Sequence, residues 1–352
     1  MRAQDFKSAC DRSMVKRYHE EKQRTLIGQR REWMMNEAQL GAELEFQEGW
    51  KDGGHEGELI PRGPFRFSAA LAYMGRSENE CLFYVDQDRV YKWIEAGNER
   101  VLVEIFGGPE DRTVRLRFLD EAAHGKPQTR MAAARYVWEW FDLGTDLDAF
   151  YRLAESDLLL GPLTHRFYGL RCIGIPDLFE ALCWAILGQQ INLAFAYTLK
   201  RRFVESYGAS MAWDGRTYWT FPTPEAIAGL SAADLTPLQL TSKKAEYVLE
   251  TAARMADGRL TKERLLRLGD AQEVERELTG IRGIGPWTAH YVMMRCLRLP
   301  SAFPAGDVGL QNAVKHLIGM DSKPTPAELR RLAAGWSGFE AYATFYLWRV
   351  LY

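Results

Sequence analysis

The pattern of apolar and polar positions divides the chain into three parts. Residues 1–58 are rich in arginine, lysine, glutamate and glutamine, with few apolar positions at a regular spacing. Residues 59–128 carry short aromatic and β-branched runs between turn signals, which is typical of a small antiparallel sheet. Residues 129–352 have apolar positions at helical spacing throughout. We therefore predict an α+β fold: an N-terminal extension that need not be ordered, a small α+β domain, and an all-α region.

The sheet and the helices have separate signals. In residues 114–118 Val, Leu and Phe alternate with two arginines, which predicts a strand with one apolar and one basic face. Residues 68–74 read as a helix beside the sheet, and Thr325 followed by Glu328 has the form of a capping box. The other predicted strands are 65–67, 82–85, 90–93 and 101–106. The predicted helices after residue 128 are 129–141, 146–157, 176–188, 191–207, 223–229, 231–235, 242–257, 271–278, 287–297, 308–317, 325–335 and 339–351.

Composition narrows the class of protein. The 352 residues include 47% apolar and 26% charged residues, and 45 Lys+Arg against 47 Asp+Glu leave a net charge of −2, so any nucleic-acid-binding face must be local. Five scattered cysteines without metal-ligand spacing indicate reduced thiols and no zinc or iron–sulfur site. No apolar run approaches the roughly 18 residues of a membrane span. We expect a cytoplasmic protein that does not enter a membrane.

A glycine run near the C-terminus is the most informative motif. Residues 278–289 place Gly280, Gly283 and Gly285 directly before Pro286 and an apolar helical pattern. Glycine adopts backbone conformations with positive φ and lets a ligand approach closely, and proline suits the first turn of a helix. Because a helix N-terminus attracts anions, this run predicts a hairpin that binds phosphate through backbone N–H groups.

The charges around the run single out one carboxylate. Between Glu277 and Asp321 the only acidic residue is Asp307, whereas the same interval holds the cations Arg282, Arg295, Arg298 and Lys315. A carboxylate on a phosphate-binding surface opposes affinity, but near a nucleotide it can stabilise positive charge on C1′ and orient water as a glycosidic bond breaks. Asp307 can equally cap the helix that follows it. The two roles are compatible, and the residues leave both open.

These segments resemble a known family. The run 278–289 with Asp307 behind it resembles the helix-hairpin-helix of the DNA glycosylase superfamily, and 179–191 resembles the helix that leads to the wedge loop of its alkylation-repair branch, bacterial 3-methyladenine DNA glycosylase II. Residues 169–171 and 336–348 are also similar, so the resemblance covers about residues 60–352. A hairpin combined with a downstream Asp is a specific signal, whereas a lone G-x-G is weak.

The resemblance implies roles for particular residues. Asp307 corresponds to the catalytic acid, acting as base or as electrostatic stabiliser. Trp287 stands where strand-nicking members carry the lysine that forms a Schiff base, so a monofunctional enzyme is expected, with base release and no strand cleavage. The backbone carbonyls of Thr279, Ile281 and Gly283 correspond to ligands of a monovalent cation, and no other cofactor is implied.

The resemblance also implies contacts with DNA. Gln190 corresponds to the residue inserted in place of the flipped base, whereas Gln189 is expected to satisfy backbone groups in the turn. The DNA-binding residues implied by the hairpin are Gly280, Arg282, Gly283, Gly285 and Thr288. The aromatic residues expected to contact a cationic alkylated purine are Tyr73, Trp287, Tyr291 and Phe339, where Phe339 replaces the tryptophan of relatives.

The function predicted on this basis is excision of 3-methyladenine and 7-methylguanine from double-stranded DNA by a monomeric enzyme. An oxidised-purine glycosylase of the same superfamily is disfavoured by Trp287 in place of lysine. A non-catalytic helix-hairpin-helix DNA-binding protein would not need Asp307. A helix-turn-helix regulator would need a polar recognition helix, and Tyr291-Val-Met-Met294 is too apolar for that role.

Overall fold

The computed structural model describes residues 41–351 of the chain. It separates into a first unit ending at Glu45, whose described residues 41–45 are helical, and a second unit that begins at Phe46. The expectation for residues 1–40 lies outside the described residues. None of the described helices is both long enough and apolar enough to span a membrane. The second unit contains the strands and the helices from Phe67 onward.

A six-stranded antiparallel sheet forms its N-terminal part, in the order β1-β2-β6-β5-β4-β3. The strands are β1 Trp50–Asp52, β2 Glu56–Leu59, β3 Tyr84–Asp86, β4 Arg89–Ala96, β5 Glu99–Gly107 and β6 Val114–Phe118. The sheet begins at Trp50, so the prediction of an extension up to residue 58 is wrong for its last residues. The predicted strand at 65–67 is also wrong, because Phe67 opens a helix.

Strand β6 confirms the alternation seen in the sequence. Val114, Leu116 and Phe118 are fully buried, and the two arginines between them are partly exposed. The basic face is balanced by neighbouring strands, since Arg117 lies 2.7 Å from Glu104 and 3.2 Å from Glu56. This face of the sheet therefore offers no unbalanced positive charge for a polyanion.

Helices make up most of the remaining chain, and their bounds agree closely with the apolar period. Three short helices, α2, α5 and α11, were not predicted. In chain order the helices are α1 Phe67–Met74, α2 Glu121–His124, α3 Pro127–Trp140, α4 Leu147–Ala154, α5 Leu160–Arg166, α6 Leu178–Gly188, α7 Leu193–Tyr207, α8 Pro224–Ala228, α9 Ala232–Leu235, α10 Ser242–Ala256, α11 Lys262–Leu266, α12 Ala271–Thr279, α13 Pro286–Arg295, α14 Val308–Ile318, α15 Pro326–Ala333 and α16 Glu340–Trp348.

One hairpin interrupts the helical region and corrects the prediction that residues 129–352 are all α. Strands β7 Ser210–Trp213 and β8 Arg216–Trp219 pair around Asp214-Gly215, both with positive φ. An Asp-Gly pair is the standard signal for a two-residue hairpin turn. The hairpin contacts the larger sheet, where the Tyr84 hydroxyl donates to the Thr217 carbonyl at 2.9 Å.

A single buried arginine links the segment before α1 to the loop after α3. Arg171 is completely buried, and its guanidinium donates to four backbone carbonyls, those of Arg62, Pro64, Asp142 and Thr145. Burying a charge without such partners would be costly. The arginine thereby fixes segments that lie far apart in sequence.

Candidate active site

The glycine run forms the turn between α12 and α13. Gly280 ends α12 and Gly285 is the N-cap of α13, which starts at Pro286 as predicted. Only Gly283 has positive φ, +92°, and a Cβ there would lie 2.1 Å from the Tyr247 ring. Gly280 and Gly285 have φ of −68° and −89°, which any residue adopts. A positive φ therefore explains the need for glycine at only one of the three positions, Gly283.

The cations near the hairpin differ from the sequence expectation. Arg298 donates to the backbone carbonyls of Cys172 and Glu139, and Arg295 is 4% exposed, so neither can reach a phosphate at the surface. Arg282 is exposed and lies 2.7 Å from Glu246. Of the three arginines expected near the hairpin, only Arg282 is therefore placed at its surface.

Asp307 is held at both carboxylate oxygens. Its Oδ1 accepts from the Leu310 N–H at 2.6 Å, which makes Asp307 the N-cap of α14, and from Trp348 Nε1 at 2.8 Å. Its Oδ2 accepts from Trp287 Nε1 at 2.9 Å. The cap that the sequence left open is therefore present, and the carboxylate also faces a cavity.

That cavity has a volume of about 690 Å³ and gathers the predicted catalytic residue, three of the four predicted substrate-binding residues and Gln190. Asp307, Trp287, Tyr291, Tyr73 and Gln190 all line it. Their neighbours in the wall include Arg76, Trp184, Gln189, Arg295 and Trp348. Among the described residues that form this wall there is no lysine, so the amine needed for a Schiff base is absent from it.

The walls are mainly aromatic. Trp287 and Tyr291 have ring centroids 5.8 Å apart, and Tyr291 and Trp348 are 6.1 Å apart. Burial raises the pKa of Tyr291 to about 12, so its hydroxyl stays protonated at neutral pH. The rings offer stacking surfaces, and the Asp307 carboxylate is the hydrogen-bond acceptor beside them.

Phe339 lies apart from the other predicted substrate-binding residues. Its ring packs against Phe150 at 5.9 Å, and it does not line the cavity, so the structure does not bring it together with Tyr73, Trp287 and Tyr291. Sequence reasoning did not include Trp348 among the site residues, although its indole contacts Asp307 and the cavity. Trp184 and Gln189 were also missed as cavity residues. The apolar period of α16 predicts only that Trp348 is buried, and the residue is indeed 8% exposed. No signal in the sequence indicates its hydrogen-bond partner.

The two adjacent glutamines have different surroundings. The Gln189 amide donates to the Gly283 carbonyl at 2.9 Å and lies 3.1 Å from Thr288 Oγ1, as expected for a residue that satisfies the turn. Gln190 is exposed at the cavity with φ of +58°. Thr288 as a whole residue is 1% exposed and its hydroxyl contacts Gln189, so the structure does not place its side chain at the surface as a DNA contact.

The three carbonyls expected to bind a cation belong to one surface groove. Thr279, Ile281 and Gly283 line it together with Arg282 and Gly285. The Ile281 carbonyl accepts from the Ile284 N–H at 3.1 Å, and the Gly283 carbonyl accepts from Gln189. A carbonyl oxygen has two lone pairs, so these bonds leave acceptor capacity for a cation. Among the described residues there is no cluster of His, Cys, Asp and Glu side chains that could hold a metal.

Comparisons with protein families agree with this geometry. Residues 183–337 match the family described as HhH-GPD superfamily base excision DNA repair protein. Residues 76–182 match the family described as 8-oxoguanine DNA glycosylase, N-terminal domain. The two matches meet inside α6, the helix that leads to Gln189 and Gln190.

Individual proteins are similar over most of the chain. A DNA-3-methyladenine glycosylase of Bacillus subtilis is 47% identical, covering 82% of this chain and 94% of its own. The structure of a 3-methyladenine DNA-glycosylase from Archaeoglobus fulgidus is 26% identical with a TM-score of 0.71, covering 83% and 97% of the two chains. An 8-oxoguanine glycosylase/lyase from Clostridium acetobutylicum in complex with double-stranded DNA shares the fold at 19% identity, with a TM-score of 0.64 over 85% and 96%.

Proposed function

The chain belongs to the HhH-GPD superfamily of base excision DNA repair proteins, and we propose that it is a monofunctional DNA glycosylase that removes alkylated purines such as 3-methyladenine and 7-methylguanine. It hydrolyses the N-glycosidic bond and leaves an abasic site in double-stranded DNA. The observation that carries the proposal is the Asp307 carboxylate, fixed by two indoles at the wall of an aromatic cavity behind the hairpin.

The Asp307 carboxylate has a defined role in this reaction. As the bond from C1′ to the base breaks, positive charge develops on the sugar, and an ionised carboxylate beside it stabilises that charge. A carboxylate has about four acceptor sites, and donors at Asp307 occupy three of them: two at Oδ1 and one at Oδ2. The remaining site, on Oδ2, would orient the attacking water. Trp287 therefore donates a hydrogen bond to the carboxylate from the position where a lysine would form a Schiff base.

The base must leave the stack before it reaches Asp307. Gln190 is exposed at the cavity and is the side chain that would fill the vacated space. The aromatic wall then receives the base, and a π face attracts a cationic alkylated purine by about 0.5 to 2 kcal/mol. The hairpin N–H groups at the start of α13 and Arg282 would bind the phosphates.

We extend the proposal to what accompanies the enzyme. It would act as a monomer on DNA in the cytoplasm and need no organic cofactor. The carbonyls of Thr279, Ile281 and Gly283 would hold a monovalent cation between the hairpin and a phosphate. Replacing potassium by a bulky organic cation would then weaken DNA binding while leaving the thermal stability of the free protein unchanged.

The decisive experiment is product analysis on methylated duplex DNA. We expect release of 3-methyladenine and 7-methylguanine, with strand breaks appearing only after alkali treatment and no covalent adduct after borohydride. The match of residues 76–182 to the N-terminal domain of 8-oxoguanine DNA glycosylases favours one competing reading, an oxidised-purine glycosylase. Release of 8-oxoguanine without methylpurine would establish that alternative and overturn ours.

A further inference from the structure

A second cavity lies beside the larger sheet and is here called the sheet pocket. Its volume is about 480 Å³, within the range of roughly 300–1,000 Å³ that is usual for small-molecule sites. Its walls come from strand β4, helix α3, the start of α6 and the segment after β8. No described residue lines both this pocket and the cavity beside Asp307. The proposed glycosylase reaction therefore leaves the sheet pocket without a role.

The inner end of the pocket holds two buried polar groups with spare donors. Lys92 is 5% exposed, and its ammonium donates to the Leu82 carbonyl at 3.1 Å but forms no ion pair in the described part of the chain. Thr220 is also 5% exposed, and its Oγ1 makes no hydrogen bond to any residue that the structure describes. A buried charge without a counter-ion and a buried hydroxyl without a partner are both unfavourable. An anionic acceptor at this end would satisfy them.

The outer end of the pocket offers a carboxylate instead. Asp177 is exposed there and caps α6 by accepting from the Glu180 N–H at 2.6 Å. It forms no ion pair within residues 41–351, whereas the other three carboxylates of the lining each have a cation. These pairs are Glu95 with Arg100 at 3.0 Å, Glu139 with Lys262 at 2.7 Å and Glu180 with Lys200 at 3.1 Å. Asp177 is therefore the carboxylate that a cationic ligand would meet.

The remaining walls of the pocket are largely apolar and aromatic. Trp93, Tyr136 and Phe221 contribute rings, and Met131 and Pro222 add apolar surface. The other cation of the lining, Arg135, places its guanidinium carbon 4.2 Å from the centre of the Phe46 ring, which is not part of the pocket. Apolar walls with a few polar groups at defined points are typical of small-molecule sites. The polar points here are of opposite charge.

We propose that the sheet pocket binds a small zwitterion whose carboxylate and cationic group are separated by an apolar body. The carboxylate accepts from Lys92 and Thr220 at the inner end, and an ammonium or guanidinium group pairs with Asp177 at the outer end. The apolar body fills the space between the aromatic walls. An apolar α-amino acid does not meet this requirement, because both of its charges are attached to one carbon. The site is independent of the glycosidic reaction, so the inference goes beyond the proposed function.

The test titrates the full-length protein, without DNA, with three related ligands. The ligand para-aminomethylbenzoate carries both charges on a benzene ring, benzylamine lacks the carboxylate, and para-toluate lacks the ammonium. We expect calorimetry to show binding of para-aminomethylbenzoate, and the loss of either charge to weaken binding about tenfold or more, the usual worth of a hydrogen bond to a charged group. No binding of para-aminomethylbenzoate, or equal affinities for the three ligands, would overturn the proposal.

Three variants assign each charge to its end of the pocket. Asp177→Asn keeps the cap of α6 and should weaken para-aminomethylbenzoate binding about tenfold while leaving para-toluate unchanged. Lys92→Met should also weaken para-aminomethylbenzoate binding but leave benzylamine unchanged. Thr220→Val serves if Lys92→Met fails to fold. It should weaken para-aminomethylbenzoate binding about fivefold, with a free protein at least as stable to heat, because an unbonded hydroxyl is removed.

The matched control is Asp146→Asn, since Asp146 caps α4 by accepting from the Asp148 N–H at 2.9 Å and does not line the pocket. This variant should bind all three ligands as the wild type does. Binding of para-aminomethylbenzoate that no pocket variant alters would place the ligand elsewhere and overturn the site. The titrations contain no DNA, so their outcome does not depend on whether the protein releases bases.

Discussion

The two sides of the cavity mouth are built in opposite ways. On the catalytic side, Asp307 accepts from Leu310, Trp348 and Trp287 and has one acceptor site left. On the wedge side, residues 188–191, Gln190 is exposed at the end of a turn held by its neighbour Gln189. The chemical step needs a group that stays in place, whereas flipping needs a side chain free to enter DNA. The difference indicates that rigidity is concentrated where charge develops.

The strongest way to break the catalytic side is Asp307→Asn. The amide keeps the helix cap through its oxygen but places N–H groups against the Trp287 indole donor and removes the negative charge. We expect base release to fall by at least about 1000-fold, with lesion-DNA affinity unchanged or stronger. Single-turnover kinetics and a binding titration measure the two quantities.

Asp270→Asn is the matched control, since Asp270 also caps a helix, accepting from the N–H groups of Gln272 and Glu273. Asn caps helices about as well as Asp, so this variant should keep full activity. An Asp307→Asn enzyme that still released methylpurines at the normal rate would refute the catalytic role of the carboxylate.

Gly283 connects the hairpin to the wedge side, because its carbonyl accepts a hydrogen bond from the Gln189 amide. Gly283→Ala forces a Cβ into the Tyr247 ring at positive φ, and we expect it to lower the free energy of unfolding by about 3 kcal/mol. Gly285→Ala is the control for stability, because a Cβ there meets no atom within 4 Å. Chemical denaturation measures the free energy of unfolding of both variants. Equal values would show that the turn has space for a Cβ at position 283, contrary to the structure.

The rigidity of the catalytic side can be examined at one donor. Trp348→Phe removes the indole N–H that contacts Asp307 Oδ1 and keeps an aromatic ring at the cavity. We expect the rate of base release to fall about tenfold, because a freer carboxylate is less well preorganised, with little change in DNA affinity.

Trp336→Phe supplies the comparison. The Trp336 indole donates to Asp157 at 2.7 Å, a contact of the same kind away from the cavity. It should lower thermal stability without slowing the bound enzyme. If Trp348→Phe and Trp336→Phe slowed base release to the same extent, the effect of Trp348→Phe would come from a general loss of stability.

The smallest effect is expected on the wedge side. Gln190→Ala should slow base release about fivefold at limiting enzyme, since a flipped base is worth only a few kcal/mol of unstacking. Fluorescence of 2-aminopurine beside the lesion reports the flipping step. Gln189→Ala should instead lower thermal stability, because it leaves the Gly283 carbonyl without its donor. A reversed pattern would exchange the roles of the two glutamines.

Sequence reasoning predicted most of the helices correctly, for physical reasons. Helix periods and caps are local, so α14 and its cap at Asp307 follow from adjacent residues. The first two strands were missed because β1 has only three residues, and β2 has four and pairs with β6, which is distant in sequence. The β7–β8 hairpin carried an Asp-Gly turn signal that the helical period outweighed.

Side-chain partners between distant elements were beyond prediction. Trp348 and Asp307 are 41 residues apart and meet only because α16 packs beside α14. The same limit applies to Arg295 and Arg298, which read as surface cations and are largely enclosed in the fold. Counting charged residues along the chain gives the sign of the local charge but not the direction in which each side chain points.

The arginine that joins remote segments has a consequence for how this sequence can vary. All four acceptors of Arg171 are backbone carbonyls, at positions 62, 64, 142 and 145. A backbone carbonyl is the same whatever side chain its residue carries, so substitutions at those positions can accumulate without weakening the link. Position 171 has no such tolerance, because lysine offers three donors on one atom and cannot span four separated acceptors. Changes in the surrounding segments can therefore accumulate as long as this one residue is kept.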